Sequence, residues 1–181
     1  MAGIAVDGET GDLYVAAAST GSFLFHVNRG DEVVVSDHYF MGGVEGFYPY
    51  VATDIVYHDG AIITTASGGW LIRYNVTSRE TETLARFDRF DTESGLARVG
   101  RSFYVTPGTG DGSLMRLDFD QNHSQEIKAL PSLTTLDYDE TSRTAVVANL
   151  EGKFYVIDLE AGVLNSIPNL EPAPASKNFA L

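Results

Sequence analysis

The chain has 181 residues, a formal net charge of −13 and no cysteine. Its length and its hydrophobic fraction of 44% are those of a globular protein with one domain or two small ones. The missing cysteines exclude disulfides, thiolate catalysis and cysteine-bound zinc, and the acidic charge argues against binding to a nucleic-acid backbone.

The first twelve residues contain neither a basic segment nor a long apolar one, and no apolar run reaches the length of a membrane span. We therefore expect no secretory signal, no membrane insertion and a location in the cytoplasm or on a virus particle. The low lysine content, three residues, is typical of proteins from salt-loving organisms and also of a merely solubilising surface.

Short apolar runs separated by turn residues follow one another along the whole chain. They are rich in Val, Ile, Tyr, Phe and Thr, and they are too short for helices, which predicts strands. In chain order they form four groups of four: GIAVD, LYVAAA, FLFHVN and EVVVSD; TDIVYHD, AIITTA, WLIRYN and ETETLARF; GLARV, SFYVT, LMRLD and SQEIKAL; TTLDYD, TAVVAN, FYVID and GVLNSI.

Two sequence markers recur once in each of the four groups. The third run of each group ends in an amide or acidic residue, and a glycine precedes that residue by six or seven positions. The end residues are Asn28, Asn75, Asp118 and Asp158, and the glycines are Gly21, Gly69, Gly112 and Gly152. A repeat of 40 to 47 residues that holds four antiparallel strands is typical of a propeller blade.

The fourth group, TAVVANLEGKFYVIDLEAGVLNSI, resembles a YVTN-type repeat, and the first, AVDGETGDLYVAAASTGSFLFHV, is similar to that family and to NHL-type blades. The resemblance covers residues 3–168. It implies an all-β chain, a β-propeller with four four-stranded antiparallel blades at 3–40, 51–87, 93–130 and 133–168.

The blade number departs from the family pattern, because such propellers commonly have six or seven blades. Repeated sheets cannot leave their end faces bare. We expect a small closed ring of four blades. The alternatives are a larger ring that a partner completes and a chain that is one piece of a longer protein.

Two segments carry residues suited to contacts with other proteins. The connection between the first two blades, Ser36 to Asp54, is rich in aromatic residues, which supply large contact areas at small entropic cost. Residues 169–181 form a proline-rich arm with an apolar end. The predicted partner-binding residues are His38, Tyr39, Phe40, Phe47, Tyr48, Tyr50, Phe179 and Leu181. The alternatives are that the aromatic residues cover the ring centre or a blade edge, and that the arm is a frayed terminus.

No catalytic motif is recognisable. There is no GxSxG sequence, PGTGDGS lacks the lysine of a phosphate-binding loop, and DGETGD lacks the spacing of a calcium loop. The resemblance extends to calcium-dependent lactonases, which use axial carboxylates and amides. The residues expected on the axis here are Asp54, Arg98, Thr134 and Thr135. Only Asp54 matches, so we predict no catalytic residue, no metal and no cofactor.

The sequence thus favours a non-enzymatic protein–protein interaction module. We expect a structural subunit of a larger assembly, such as a capsid spike, a surface layer or an accessory subunit of a complex, which binds other protein subunits or copies of itself. Two alternatives remain open: a metal-dependent hydrolase of the lactonase type, and a propeller that binds a glycan or a peptide.

Overall fold

A computed structural model describes residues 3–18, 22–29, 33–40, 43–44, 48–49, 52–66, 69–87, 94–106, 111–118, 123–131, 133–139, 141–149, 152–159 and 163–167. Every regular element in these ranges is a strand, so the prediction of an all-β chain is confirmed. Within the same ranges there is no helix with the length and apolarity needed to cross a membrane.

Four antiparallel sheets follow one another along the chain, and in each the spatial order of the strands is the chain order. The first holds β1 (Gly3–Val6), β2 (Leu13–Ala18), β3 (Ser22–Arg29) and β4 (Val33–Phe40). A two-stranded sheet, β5 (Gly43–Val44) and β6 (Tyr48–Pro49), follows it. The sequence does not predict this small sheet, because its strands are only two residues long.

The other three large sheets are built in the same way. The second holds β7 (Ala52–His58), β8 (Ala61–Ala66), β9 (Trp70–Asn75) and β10 (Thr81–Arg86). The third holds β11 (Leu96–Val99), β12 (Ser102–Val105), β13 (Asp111–Asp118) and β14 (His123–Pro131). The fourth holds β15 (Leu133–Asp139), β16 (Thr144–Asn149), β17 (Phe154–Asp158) and β18 (Val163–Ser166).

The sequence markers occupy matching places in this topology. Asn75, Asp118 and Asp158 are the last residues of the third strands of their sheets, and Asn28 is the last but one of β3. Asn75 pairs with the first residue of β8, and Asp118 pairs with the first residue of β12. The repeat in the sequence is therefore a repeat of strands in space.

The sheets pack face to face in chain order. β1 and β2 pack against β7, β7 packs against β11, and β11 packs against β15. Each junction has its own apolar core, with Tyr14 and Ile62 in the first, Ile63 and Phe103 in the second, and Tyr104 and Val147 in the third. Within the described ranges no packing of similar extent joins the fourth sheet to the first.

Strands in the middle of this stack are covered on both faces. All six residues of β8 are buried, whereas the first three residues of β10, at the outer edge of the same sheet, are exposed. A strand with neighbours on both faces needs apolar residues at successive positions, not alternating ones. This is why AIITTA holds four apolar residues and two buried threonines and carries no charge, whereas TETLAR contains Glu82 and Arg86.

Candidate functional site

Equivalent positions in the four sheets are defined by the register of the first and second strands. Ile4 pairs with Val15, Ile55 with Thr64, Leu96 with Val105 and Leu136 with Val147. Ile4, Ile55, Leu96 and Leu136 are therefore equivalent. The residues that precede them, Gly3, Asp54, Gly95 and Thr135, are equivalent as well.

Asp54 lies where the first and third sheets have glycine. A Cβ added at Gly95 would lie only 2.5 Å from the backbone nitrogen of Leu136, so glycine is what allows the backbones of the third and fourth sheets to approach. At the junction of the second and third sheets the Asp54 carboxylate makes the connection instead. Its Oδ2 accepts a hydrogen bond of 2.8 Å from the Leu96 N–H, and its Oδ1 accepts one of 2.9 Å from the Ile55 N–H.

Burial raises the pKa of Asp54 to about 6, and the negative charge of Asp137 adds to the rise. The two N–H donors act in the opposite direction, because they stabilise the ionised form. Active sites use carboxyl groups with a raised pKa for proton transfer. Carboxylates with a purely structural role can have a raised pKa as well.

Buried hydroxyl groups lie beside Asp54. The Thr53 hydroxyl is 2.7 Å from the Thr65 hydroxyl and 3.0 Å from the Ser94 hydroxyl. The Thr53 and Thr65 hydroxyls also donate to the main-chain carbonyl of Ser94, and Thr64 donates to the main-chain carbonyl of Asp54. These hydroxyls make hydrogen bonds to each other and to backbone oxygens. A catalytic hydroxyl nucleophile would instead be hydrogen-bonded to the side chain that acts as its general base.

Among the described residues no three His, Asp or Glu side chains are close enough together to hold a metal ion. In that part of the chain, Asp54 therefore lacks the additional carboxylates that the resemblance to lactonases implies. The side chain of Thr134 lies outside the described residues, and Thr135 is exposed.

A cavity of about 320 Å³ is lined by the first strands of all four large sheets. Its charged lining groups are Arg98 and Asp137, and its aromatic ones are Tyr57 and Tyr138. The Nε of Arg98 donates to the carbonyl of Gly100 at 2.9 Å. The cavity is at the lower end of the size range of small-molecule sites. Arg98, predicted to lie on the axis, thus lines the cavity that the four first strands share, together with Asp137.

A stack of three rings, which the sequence does not predict, joins the first two sheets. Tyr14 lies between His26 and Tyr57, with ring centroids 4.7 Å and 5.2 Å apart and nearly parallel planes. The Nε2 of His26 is 2.9 Å from a carboxylate oxygen of Asp12. The rings come from three different strands, so no local spacing signals the stack.

The face of the first sheet that points away from the second is the first of two uncovered surfaces. Ile4 is 53% exposed, whereas its equivalents Ile55, Leu96 and Leu136 are 2%, 3% and 5% exposed. Leu13 is also exposed, although its equivalents in the other three sheets, Ile62, Phe103 and Ala145, are fully buried. We call this surface the leading face; it consists of Ile4, Val6, Leu13, Val15 and Val27.

The face of the fourth sheet that points away from the third is the second uncovered surface. Val146 is 39% exposed, whereas its equivalents Tyr14, Ile63 and Tyr104 are 5%, 0% and 3% exposed. Val156 pairs with Val146 and is half-buried, as is Ala148. We call this surface the trailing face; it consists of Val146, Ala148 and Val156.

Together the two faces hold every large exposed hydrophobic side chain of the described residues: Ile4, Val6, Leu13 and Val146. Scattered single apolar residues on a surface are ordinary, but a contiguous group marks an interaction site. In the sequence Ile4 is indistinguishable from Ile55, so no sequence signal separates the exposed residue from the buried one.

The structure extends β4 through His38, Tyr39 and Phe40, because these residues continue the pairing with β3. Tyr48 lies in β6. The side chains of these four predicted partner-binding residues are outside the described part of the structure. Phe47, Tyr50, Phe179 and Leu181 lie outside it altogether, as does the whole arm, residues 169–181.

No protein-family model matches the chain, and no curated protein matches it in sequence. Among solved structures the chain is similar to the computationally designed Ika4 protein, with a TM-score of 0.58. The match covers 86% of this chain and 88% of the other at 12% identity. At that identity the likeness concerns the fold alone.

Proposed function

We propose that the four large sheets are blades of a β-propeller and that the protein is a non-enzymatic subunit of a larger protein assembly. Three features support the blade arrangement: sheets of one topology follow one another along the chain, they pack face to face in order, and their first strands line one cavity. Such an arrangement leaves two end faces that must be covered.

The observation that carries the proposed function is the exposure of the leading and trailing faces. Burying a side chain such as Ile4 stabilises a protein by about 1.5–3 kcal/mol relative to leaving it in water. Apolar side chains are buried in this way at all three internal junctions, whereas those of the leading and trailing faces remain exposed to water. A partner that covers the two faces would recover it.

Native mass spectrometry of the tagged full chain, purified from the organism that makes it, tests this function. We expect an assembly heavier than the single chain of 19.6 kDa. Recovery of the single-chain mass alone, over the whole concentration range at which the protein is folded, would overturn the proposal.

One observation favours a second function, a metal-dependent hydrolase of the lactonase type: a buried carboxyl with a pKa of about 6 lies at the start of a first strand. Calorimetric titration with calcium separates the two functions. Binding of one ion per chain that is lost in Asp54→Asn would support the hydrolase, and an absence of binding would leave the assembly subunit as the better account.

A further inference from the structure

We infer that the leading face of one chain binds the trailing face of a second copy, and the reverse, so that two chains close a ring of eight large sheets. This inference rests on the proposed function, since it treats the sheets as blades of one ring. It adds the identity of the partner, which is the chain itself.

The two uncovered faces are the two halves of an interface that the chain already builds three times. At each internal junction, the face equivalent to the trailing face packs on the face equivalent to the leading face of the next sheet. Tyr14 and Ala5 meet Ile55 and Ile62 at the first of these junctions. The two junctions between the chains would be of the same kind as the three within each chain, and they would bury Ile4 and Leu13 of one chain against Val146 of the other.

Three exposed aspartates lie on this side of the fourth sheet. Asp139 and Asp158 are the last residues of β15 and β17, at the margin of the trailing face, and the Asp139 carboxylate accepts hydrogen bonds from Thr141 and Ser142. Asp137 pairs with Val146 and is exposed on the same side of the fourth sheet. It lies at the inner edge of the sheet, where it also lines the cavity between the first strands. Its carboxylate can therefore remain hydrated from the cavity side while Val146 is covered.

A second copy is favoured over closure within one chain, because no packing comparable to that at the three internal junctions joins the described parts of the fourth and first sheets. It is favoured over a single different protein that covers both faces, because such a partner would need both a leading and a trailing surface of matching shape. Two copies cover all four faces through two equal interfaces related by a twofold axis, the commonest symmetry of soluble oligomers. Since the ring then closes, the assembly does not grow into a fibre.

Sedimentation equilibrium of the full chain tests the inference. We expect the mass of two chains, and we expect Ile4→Lys alone and Val146→Glu alone each to raise the dissociation constant about 100-fold, because each places an unpaired charge in both interfaces of the ring. Thr83→Glu on β10, an exposed residue away from both faces, is the matched control and should leave the mass unchanged.

Mixing the two single variants provides the decisive measurement. A mixed pair has one unmodified interface and one in which the introduced lysine and the introduced glutamate would face each other, so we expect the mass of two chains to return on mixing. Circular dichroism of each variant checks that the strands are intact. If the leading face instead paired with another leading face, mixing the two variants would not restore the mass of two chains. That result would overturn the inference.

The results also separate this inference from the proposed function. A folded single chain in solution overturns the self-pairing. A single chain that becomes a pair only after removal of residues 169–181 overturns it as well, because the arm would then be what covers the two faces in the full chain. A heavier complex with other subunits from the native source would leave the assembly function standing in both cases.

Discussion

The Oδ2 atom of Asp54 accepts a 2.8 Å hydrogen bond from the backbone N–H of Leu96, and this contact joins the second sheet to the third. At the equivalent position Gly95 joins the third sheet to the fourth by having no side chain at all. Two opposite solutions, a buried carboxylate and a missing Cβ, thus serve the same kind of junction.

The first prediction concerns the pH dependence of stability. The pKa of Asp54 is about 6 in the folded chain and near 3.8 when unfolded, so the folded state holds the proton more tightly. Its contribution to stability is therefore fully present below pH 3.8 and is lost as the pH rises through 6. At 1.36 kcal/mol per pH unit the loss is about 3 kcal/mol.

Urea unfolding of the wild type and of Asp54→Asn at pH values from 3 to 7 measures this effect. The unfolding free energy of the wild type should fall by about 3 kcal/mol relative to that of Asp54→Asn as the pH rises. Thr83→Ser, at an exposed position of β10, changes no titratable group and should give a difference that stays constant with pH. A difference for Asp54→Asn that is constant over this range would contradict the prediction.

The second prediction concerns Gly95. In Gly95→Ala the new methyl group would collide with the backbone nitrogen of Leu136, which cannot move without moving β15. We expect a loss of about 2–3 kcal/mol in unfolding free energy. Gly8→Ala is the matched control, because no atom lies within 4 Å of the Cβ position there, and it should change stability by less than about 0.5 kcal/mol. Equal melting temperatures for the two variants would argue against close contact at Gly95.

A third prediction concerns the turn after β9. The Oδ1 of Asn75 accepts hydrogen bonds from the N–H groups of Thr77 and Ser78 at 2.9 Å and 2.8 Å. Asn75→Ala should lower the unfolding free energy by about 1 kcal/mol because it removes both bonds. Asn75→Asp keeps an oxygen at the same place and should retain most of the stability. Chemical denaturation of the three proteins checks this order.

A fourth prediction separates two roles of Tyr57. Its hydroxyl hydrogen-bonds the Asp7 carboxylate, and its ring stacks on Tyr14. Tyr57→Phe removes only the hydrogen bond and should cost about 1 kcal/mol, whereas Tyr57→Leu also removes the stack and should cost about 0.5–1.5 kcal/mol more. Thermal unfolding followed by circular dichroism gives the ranking, and equal losses in the two variants would show that the stack contributes nothing.

The strands and their repeat could be read from the sequence because their signals are local. Val, Ile, Tyr and Phe favour extended backbone, and Gly or Asn permits the turns between strands. The markers at Asn75, Asp118 and Asp158 therefore lie at equivalent strand ends. The small sheet of β5 and β6 escaped prediction, because two residues are too few for a periodic pattern.

The candidate site was predictable only in part. Asp54 and Arg98 could be assigned to the first strands of their sheets from the repeat alone, but the raised pKa of Asp54 depends on burial between two sheets. The ring stack of His26, Tyr14 and Tyr57 likewise needs residues from two sheets to meet.

The sequence by itself determined that this chain is a succession of similar antiparallel sheets, because strand propensity and turn chemistry act over a few residues. Only the tertiary structure decided which apolar residues are covered. Ile4 and Ile55 occupy the same place in their repeats, yet one is in contact with water and the other is buried. Burial depends on whether a neighbouring sheet lies against that face, and the first and fourth sheets each have a neighbour on one side.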